Sequence, residues 1–165
     1  MAAIDRTSKR AFAELPPRAT NMRAADSLRR VLAAIPYKVP QVLTDHGTQF
    51  GNMPHQGYAG RHIFDRVCDE HRIEHRLTKP AHPWTNGQVE RFNRPLKEAT
   101  VQRCHYQTTA QRTEHRQAFL LAYNHGKRRK RRCRKTPHEG ICQQGHLNPV
   151  IFIRDHTLRT LELYN

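Results

Sequence analysis

Two stretches decide how this chain is read: VLTDHGTQF at residues 42–50 and KPAHPWTNGQVERFNR at residues 79–94. In the first, Asp45 follows the apolar pair Val42 and Leu43 and precedes a Gly turn, so it reads as an Asp at the C-terminal end of a strand. In the second, Glu90 follows a loop punctuated by Pro and Gly and falls on the first turn of a helix. An acid at a strand end and an acid on a helix turn can converge on one hard cation, and Mg²⁺ sites are commonly built from one or two such carboxylates plus substrate phosphates. Each acid also has a plain structural use. Asp beside Gly forms turns, and Glu in a first helical turn is favoured by the helix dipole.

Working outward, the composition says which phosphates to expect. The chain has 165 residues, with 29 Lys and Arg against 14 Asp and Glu, a net charge of +15 and a pI near 10.5. That length predicts one domain with a hydrophobic core. The charge predicts a polyanionic partner, DNA or RNA, because neutralising phosphates releases condensed counterions. Basic composition is shared by non-catalytic nucleic-acid binders, so it does not by itself define an enzyme. No apolar run reaches the roughly 18 residues of a membrane span, and the charged start MAAIDRTSKR does not read as a signal peptide. Cys68, Cys104, Cys133 and Cys142 are far apart and form no C-x-x-C pair. A reducing bacterial cytoplasm, at the nucleoid, is the expected setting. His71 and His75 flank a helix end and a strand start, and the expected role there is a solvated or base-contacting histidine rather than a metal ligand.

The remaining pattern predicts an α/β layered architecture. Ala2–Asp5 and Ala11–Leu15 read as a hairpin around the polar turn RTSK. Met22, Ala24, Ala25, Leu28, Val31, Leu32 and Ile35 follow helical spacing, with Thr20 or Asn21 as cap and Pro36 as stop. A strand over 41–44 leads to Asp45, a helix over about 61–71 buries Ile63, Phe64, Val67 and Cys68, and Ile73 to Leu77 alternates like a strand. Two more helices are expected, over about 86–103 and 110–123. Pro95 lies inside the first of these, where it removes a hydrogen bond and clashes with the Arg91 carbonyl, predicting a kink. The run KRRKRRCRK at 127–135 has eight basic residues in nine. It reads as a linker or arm tracking phosphates without reading sequence.

LTDHGTQF followed by IEHRLTKPAHPWTNGQVERFNRPLKEATV resembles the catalytic core of insertion-sequence transposases of the retroviral-integrase type, the DDE superfamily. The resemblance runs from about Ala2 to Ile141 and is densest from Asp45 to Arg103. It implies a ribonuclease H-like fold, a mixed sheet flanked by helices, in which three acids hold two divalent metals, Mg²⁺ or Mn²⁺, and cut and join DNA. Asp45 would be the second acid and Glu90 the third. The first would lie on a strand preceding the hairpin, so the chain reads as an N-terminally truncated core. Asp5 is the nearest substitute, although it matches a turn position of the family's second strand. Candidate DNA contacts are Lys79, Asn86, Gln88, Arg91 and Arg94, joined by Lys127, Arg128, Arg129, Lys130, Arg131 and Arg132 of the basic run. Trp84 could stack on a base or plug the core under its loop. The expected organisation is a core over 1–125, a basic arm over 126–136 and a tail over 137–165, with homo-oligomers forming on DNA ends. The competing reading is a catalytically inactive nucleic-acid-binding remnant, in which the incomplete carboxylate set leaves only the basic surface at work.

Overall fold

The computed structural model describes residues 1–15, 18–51, 60–79, 87–128 and 134–153. Strands β1 (Ala2–Ile4) and β2 (Ala11–Ala13) are followed by α1 (Asn21–Ala34), β3 (Gln41–Thr44), α2 (Ile63–Glu70) and β4 (Glu74–Leu77). Then come α3 (Gly87–Ala99), α4 (Thr109–Leu121), a π-helical turn (Ala122–Gly126), α5 (Pro137–Leu147) and a 3₁₀ turn (Pro149–Ile151). This is a mixed α/β chain with two small sheets, β1 antiparallel to β2 and β3 parallel to β4. The four strands expected from the hydrophobic pattern are all present. The described contacts fall into two compact units: Met1, 16–35 and 39–87 form the first, and 2–15, 36–38 and 88–165 form the second.

The first unit is a β-α-β arrangement with α1 laid on it. Ala24, Ala25 and Leu28 of α1 are buried against Phe64, Val67 and Cys68 of α2 and against Ile73, with Leu32, Val39, Val42 and Phe50 around them. Small alanines at the contact let the two helices approach closely, and the longer residues fill the periphery. Thr20 caps α1 by accepting from the Arg23 amide at 3.3 Å. Met22, expected on the apolar face, is 59% exposed because the first turn of α1 runs past the edge of this core. The β3/β4 register pairs Gln41 with Glu74 and Thr44 with Leu77, so both strands end at the same level.

The second unit packs the hairpin on α3 and α4. Ala11 and Ala13 of β2 are buried with Phe92, Leu120 and Tyr123, and Ala2, Ile4, Leu96 and Phe119 complete the cluster. Phe92 and Tyr123 meet edge to face with ring centroids 4.9 Å apart. α3 runs through Pro95 and ends at Ala99, earlier than the sequence pattern predicts. Beyond it, the Thr100 hydroxyl turns back on the Leu96 carbonyl at 2.6 Å and the chain leaves in tight turns. α5 was not expected from hydrophobic periodicity. It starts at a capping box, Thr136 with Glu139, and has Pro137 at its first position.

Candidate metal and nucleic-acid site

Asp45 stands one residue past β3, where the strand pair closes. The Thr78 amide donates to the Thr44 carbonyl at 2.8 Å, and the His46 ring nitrogen Nε2 lies 2.6 Å from the Thr78 carbonyl. Asp45 is exposed, and its Oδ1 accepts from the Gly47 amide at 2.9 Å. The turn therefore holds the carboxylate by one oxygen, and the other makes no hydrogen bond among the described residues. Lys79, also exposed, leaves the neighbouring strand at the same end of this sheet.

Glu90 lies in the first turn of α3 and is exposed. It borders an open surface groove of about 380 Å³ lined also by Asn93, Arg94, Lys97, Glu98 and Gln102. Asn93 and Lys97 were not among the candidates from sequence, although their offsets of three and seven from Glu90 place them on its helix face. Gln88 accepts from the Lys9 ammonium at 2.9 Å. Lys9, on the β1–β2 turn, is a further polar neighbour that sequence alone did not mark. Its backbone is left-handed, φ 64°, an unusual conformation for a residue with a side chain. Arg91 is exposed, and Arg94 is paired with Glu98 at 2.9 Å, a surface contact worth little and readily exchanged.

The acids differ in how they are used. Asp26 and Glu70 share Arg29, Asp69 faces Arg61, Glu74 faces Arg76 and Glu98 faces Arg94. Among the described residues, Asp45 and Glu90 form no ion pair, and neither does Glu114. Their hard-oxygen chemistry fits Mg²⁺ or Mn²⁺. Among the described residues no three His, Cys, Asp or Glu side chains are grouped so as to hold a metal ion.

Asp5 is differently placed. Its carboxylate accepts from the Thr7 amide at 2.8 Å, the Ser8 amide at 3.0 Å, the Ser8 hydroxyl and the Tyr37 hydroxyl at 3.0 Å. Burial pushes its pKa up, but the Ser8, Thr7 and Tyr37 hydrogen bonds outweigh this and hold it below the ordinary Asp value. The Tyr37 phenol is driven up by its own burial and by the Asp5 charge. With four donors on it, Asp5 is the keystone of a turn.

Lys127 and Arg128 are exposed just after the π turn, and the Lys127 ammonium lies 5.8 Å from the centre of the Tyr123 ring. Asn86, Arg129, Lys130, Arg131, Arg132 and Trp84 lie outside the described residues. His75, expected to be solvated or to contact bases, is instead half-buried, with its side chain 9% exposed and bonded to Asp65 and Thr44. The alternation of its strand turns it inward against Phe64.

Residues 71–137 match the integrase core domain family. The catalytic core domain of BIV integrase superposes with a TM-score of 0.64 at 21% identity, over 88% of this chain and 86% of that one. A chain of the simian T-cell lymphotropic virus intasome, in complex with the PP2A regulatory subunit B56 gamma, gives 0.62 at 23% identity, over 81% of this chain and 44% of that one. No curated protein matches the sequence. The fold is therefore ribonuclease H-like, that of an integrase-type catalytic core. The matched segment spans less than half of the chain. Among the described residues no helix is long and apolar enough to cross a membrane.

Proposed function

We propose that this chain is a DNA-binding integrase or transposase catalytic core acting on DNA phosphodiesters, with Asp45 and Glu90 as ligands for Mg²⁺ or Mn²⁺. The observation that carries this reading is the pair of exposed carboxylates, one at a strand end and one in a helix's first turn, that form no ion pair among the described residues of a strongly basic chain of integrase-core fold. A divalent cation bound there would polarise the scissile phosphate and lower the pKa of an attacking water or hydroxyl. The protein's own part is to present acceptor oxygens and to hold the DNA.

Lys79, Asn86, Gln88, Arg91 and Arg94 would contact the strand near the carboxylates. Lys127, Arg128, Arg129, Lys130, Arg131 and Arg132 would add phosphate contacts that are blind to sequence. The division into a core over 1–125, an arm over 126–136 and a tail over 137–165 belongs to the same reading. So does assembly of several copies on DNA ends, which rests on the likeness to a viral intasome chain.

One observation favours the second reading, a non-catalytic nucleic-acid binder. Asp5, the nearest substitute for a first acid, is saturated by its turn, and no third carboxylate joins the set among the described residues. Supercoiled plasmid incubated with the full chain and Mn²⁺, beside Glu90→Gln, separates the two. Nicking that is lost in Glu90→Gln while DNA binding persists supports the enzyme. Binding with no nicking in either protein supports the binder.

A further inference from the structure

Three polar side chains in the first unit form a relay that ends at the residue before Asp45. The His75 ring nitrogen Nδ1 lies 2.6 Å from Asp65 Oδ1, and its Nε2 lies 2.7 Å from Thr44 Oγ1. A carboxylate can only accept, so Nδ1 carries the proton; in the neutral ring Nε2 then accepts from the Thr44 hydroxyl. The relay joins α2, β4 and β3. Thr44 is 9% exposed, and the His75 ring is packed against Phe64 with centroids 4.9 Å apart. Phe64 in turn meets Phe50 at 5.2 Å, so the imidazole has little room to turn.

Packing alone does not call for this arrangement. Val at 44 and Leu at 75 would fill the same space without burying polar atoms, which cost free energy unless every one is matched. What the relay adds is orientation. A β-branched side chain has few χ1 choices, and pinning the Thr44 hydroxyl fixes the side chain on a backbone whose carbonyl is already held by the Thr78 amide. The next residue is Asp45, whose head is held by the Gly47 amide. Backbone and carboxylate are thereby constrained from opposite ends, with the second carboxylate oxygen making no hydrogen bond among the described residues.

We infer that His75 is a positioning residue: held by Asp65, it fixes Thr44 and so orients Asp45 for a divalent cation. This rests on the reading of Asp45 as a metal ligand. Residues behind a ligand that set its orientation commonly change metal affinity by about 10- to 100-fold when removed.

The test is a Mn²⁺ titration of the full chain followed by electron paramagnetic resonance, which needs no turnover, with thermal melting recorded alongside. Thr44→Val, His75→Phe, His75→Gln and Asp45→Asn are compared with the parent. The expected result is Mn²⁺ binding weakened about 10-fold or more in Thr44→Val and His75→Phe. His75→Gln, whose amide oxygen can accept from Thr44, recovers most of the loss. Should His75→Phe fail to fold, Thr44→Val, which keeps the side-chain shape, and His75→Gln decide the matter. Thr44→Val and His75→Phe binding within about twofold of the parent, with binding lost in Asp45→Asn, overturns the positioning role and leaves the metal reading standing. Unchanged binding in Asp45→Asn removes the ligand assignment, and the inference falls with it.

Discussion

Asn124 grips the backbone of Ala11 from both sides: its Oδ1 accepts from the Ala11 amide and its Nδ2 donates to the Ala11 carbonyl, each at 2.9 Å. The two residues are 113 apart in sequence, and Asn124 is fully buried. An amide side chain thus takes the place of a neighbouring strand along that edge of β2. The π-helical turn that follows α4 carries both Asn124 and the core residue Tyr123. An extra residue in a helical turn of this kind redirects side chains, and such turns are common where a specific placement is needed.

Asn124→Ala would leave a buried N–H and a buried C=O at Ala11 without partners. An orphaned buried group costs about 1–3 kcal/mol, so the variant should lose at least about 2 kcal/mol by urea denaturation. A loss under about 0.5 kcal/mol would mean that water replaces the amide without penalty, and that the edge does not depend on this side chain.

Asp5 makes stability depend on acid pH. Its pKa in the folded chain is held below the ordinary value of 3.8, so the unfolded chain binds the proton more readily. The stabilisation is complete above the unfolded pKa and disappears as pH falls through the lower folded one. Melting temperature should therefore drop on acidification below about pH 4. Asp5→Asn should melt lower at neutral pH but show less of this acid-side fall. Parallel pH profiles for the two proteins would remove the carboxylate from the account.

Pro95 sits in the ninth position of α3 and has no N–H to offer the carbonyl of Arg91. Replacing it by Ala restores the hydrogen bond and a good helix former. Pro95→Ala should stabilise the chain by roughly 1–3 kcal/mol, read from the denaturation midpoint. A destabilised variant would show that the ring's packing outweighs the broken ladder.

The basic run should act through charge alone. Changing Lys127, Arg128, Arg129, Lys130, Arg131 and Arg132 together to Gln should weaken DNA binding equally on unrelated sequences. The slope of log K against log salt should become shallower by up to about 5 if all six residues meet duplex phosphates. An unchanged slope would place these side chains away from the DNA.

Much of this architecture was legible beforehand because it depends on short-range pattern. The alternation in Ile73 to Leu77, the spacing of Ala24, Ala25 and Leu28, and the cap at Thr20 are local, and β4, α1 and its start formed where expected. α5 was not expected: the Thr136–Glu139 box marks its start, but its buried face is Pro137, Gly140, Ile141 and Gly145, which carries little apolar signal. Asp45 and Glu90 stood out for the same local reason, one at a strand end and the other behind a Pro- and Gly-rich loop.

Other outcomes needed the chain to close on itself. Asn124 reads as an ordinary polar residue until Ala11 arrives, and His75 as an exposed histidine until Phe64, Asp65 and Thr44 surround it. Asp5 reads as an open carboxylate until its own turn and Tyr37 bond to its oxygens. Charge, hydrophobic period and capping chemistry act over a few residues, so most of the helices and strands, and the acids worth testing, could be read from local pattern. Which polar group is satisfied, and by what, depends on partners brought together from distant segments, and so emerges only once the chain has folded.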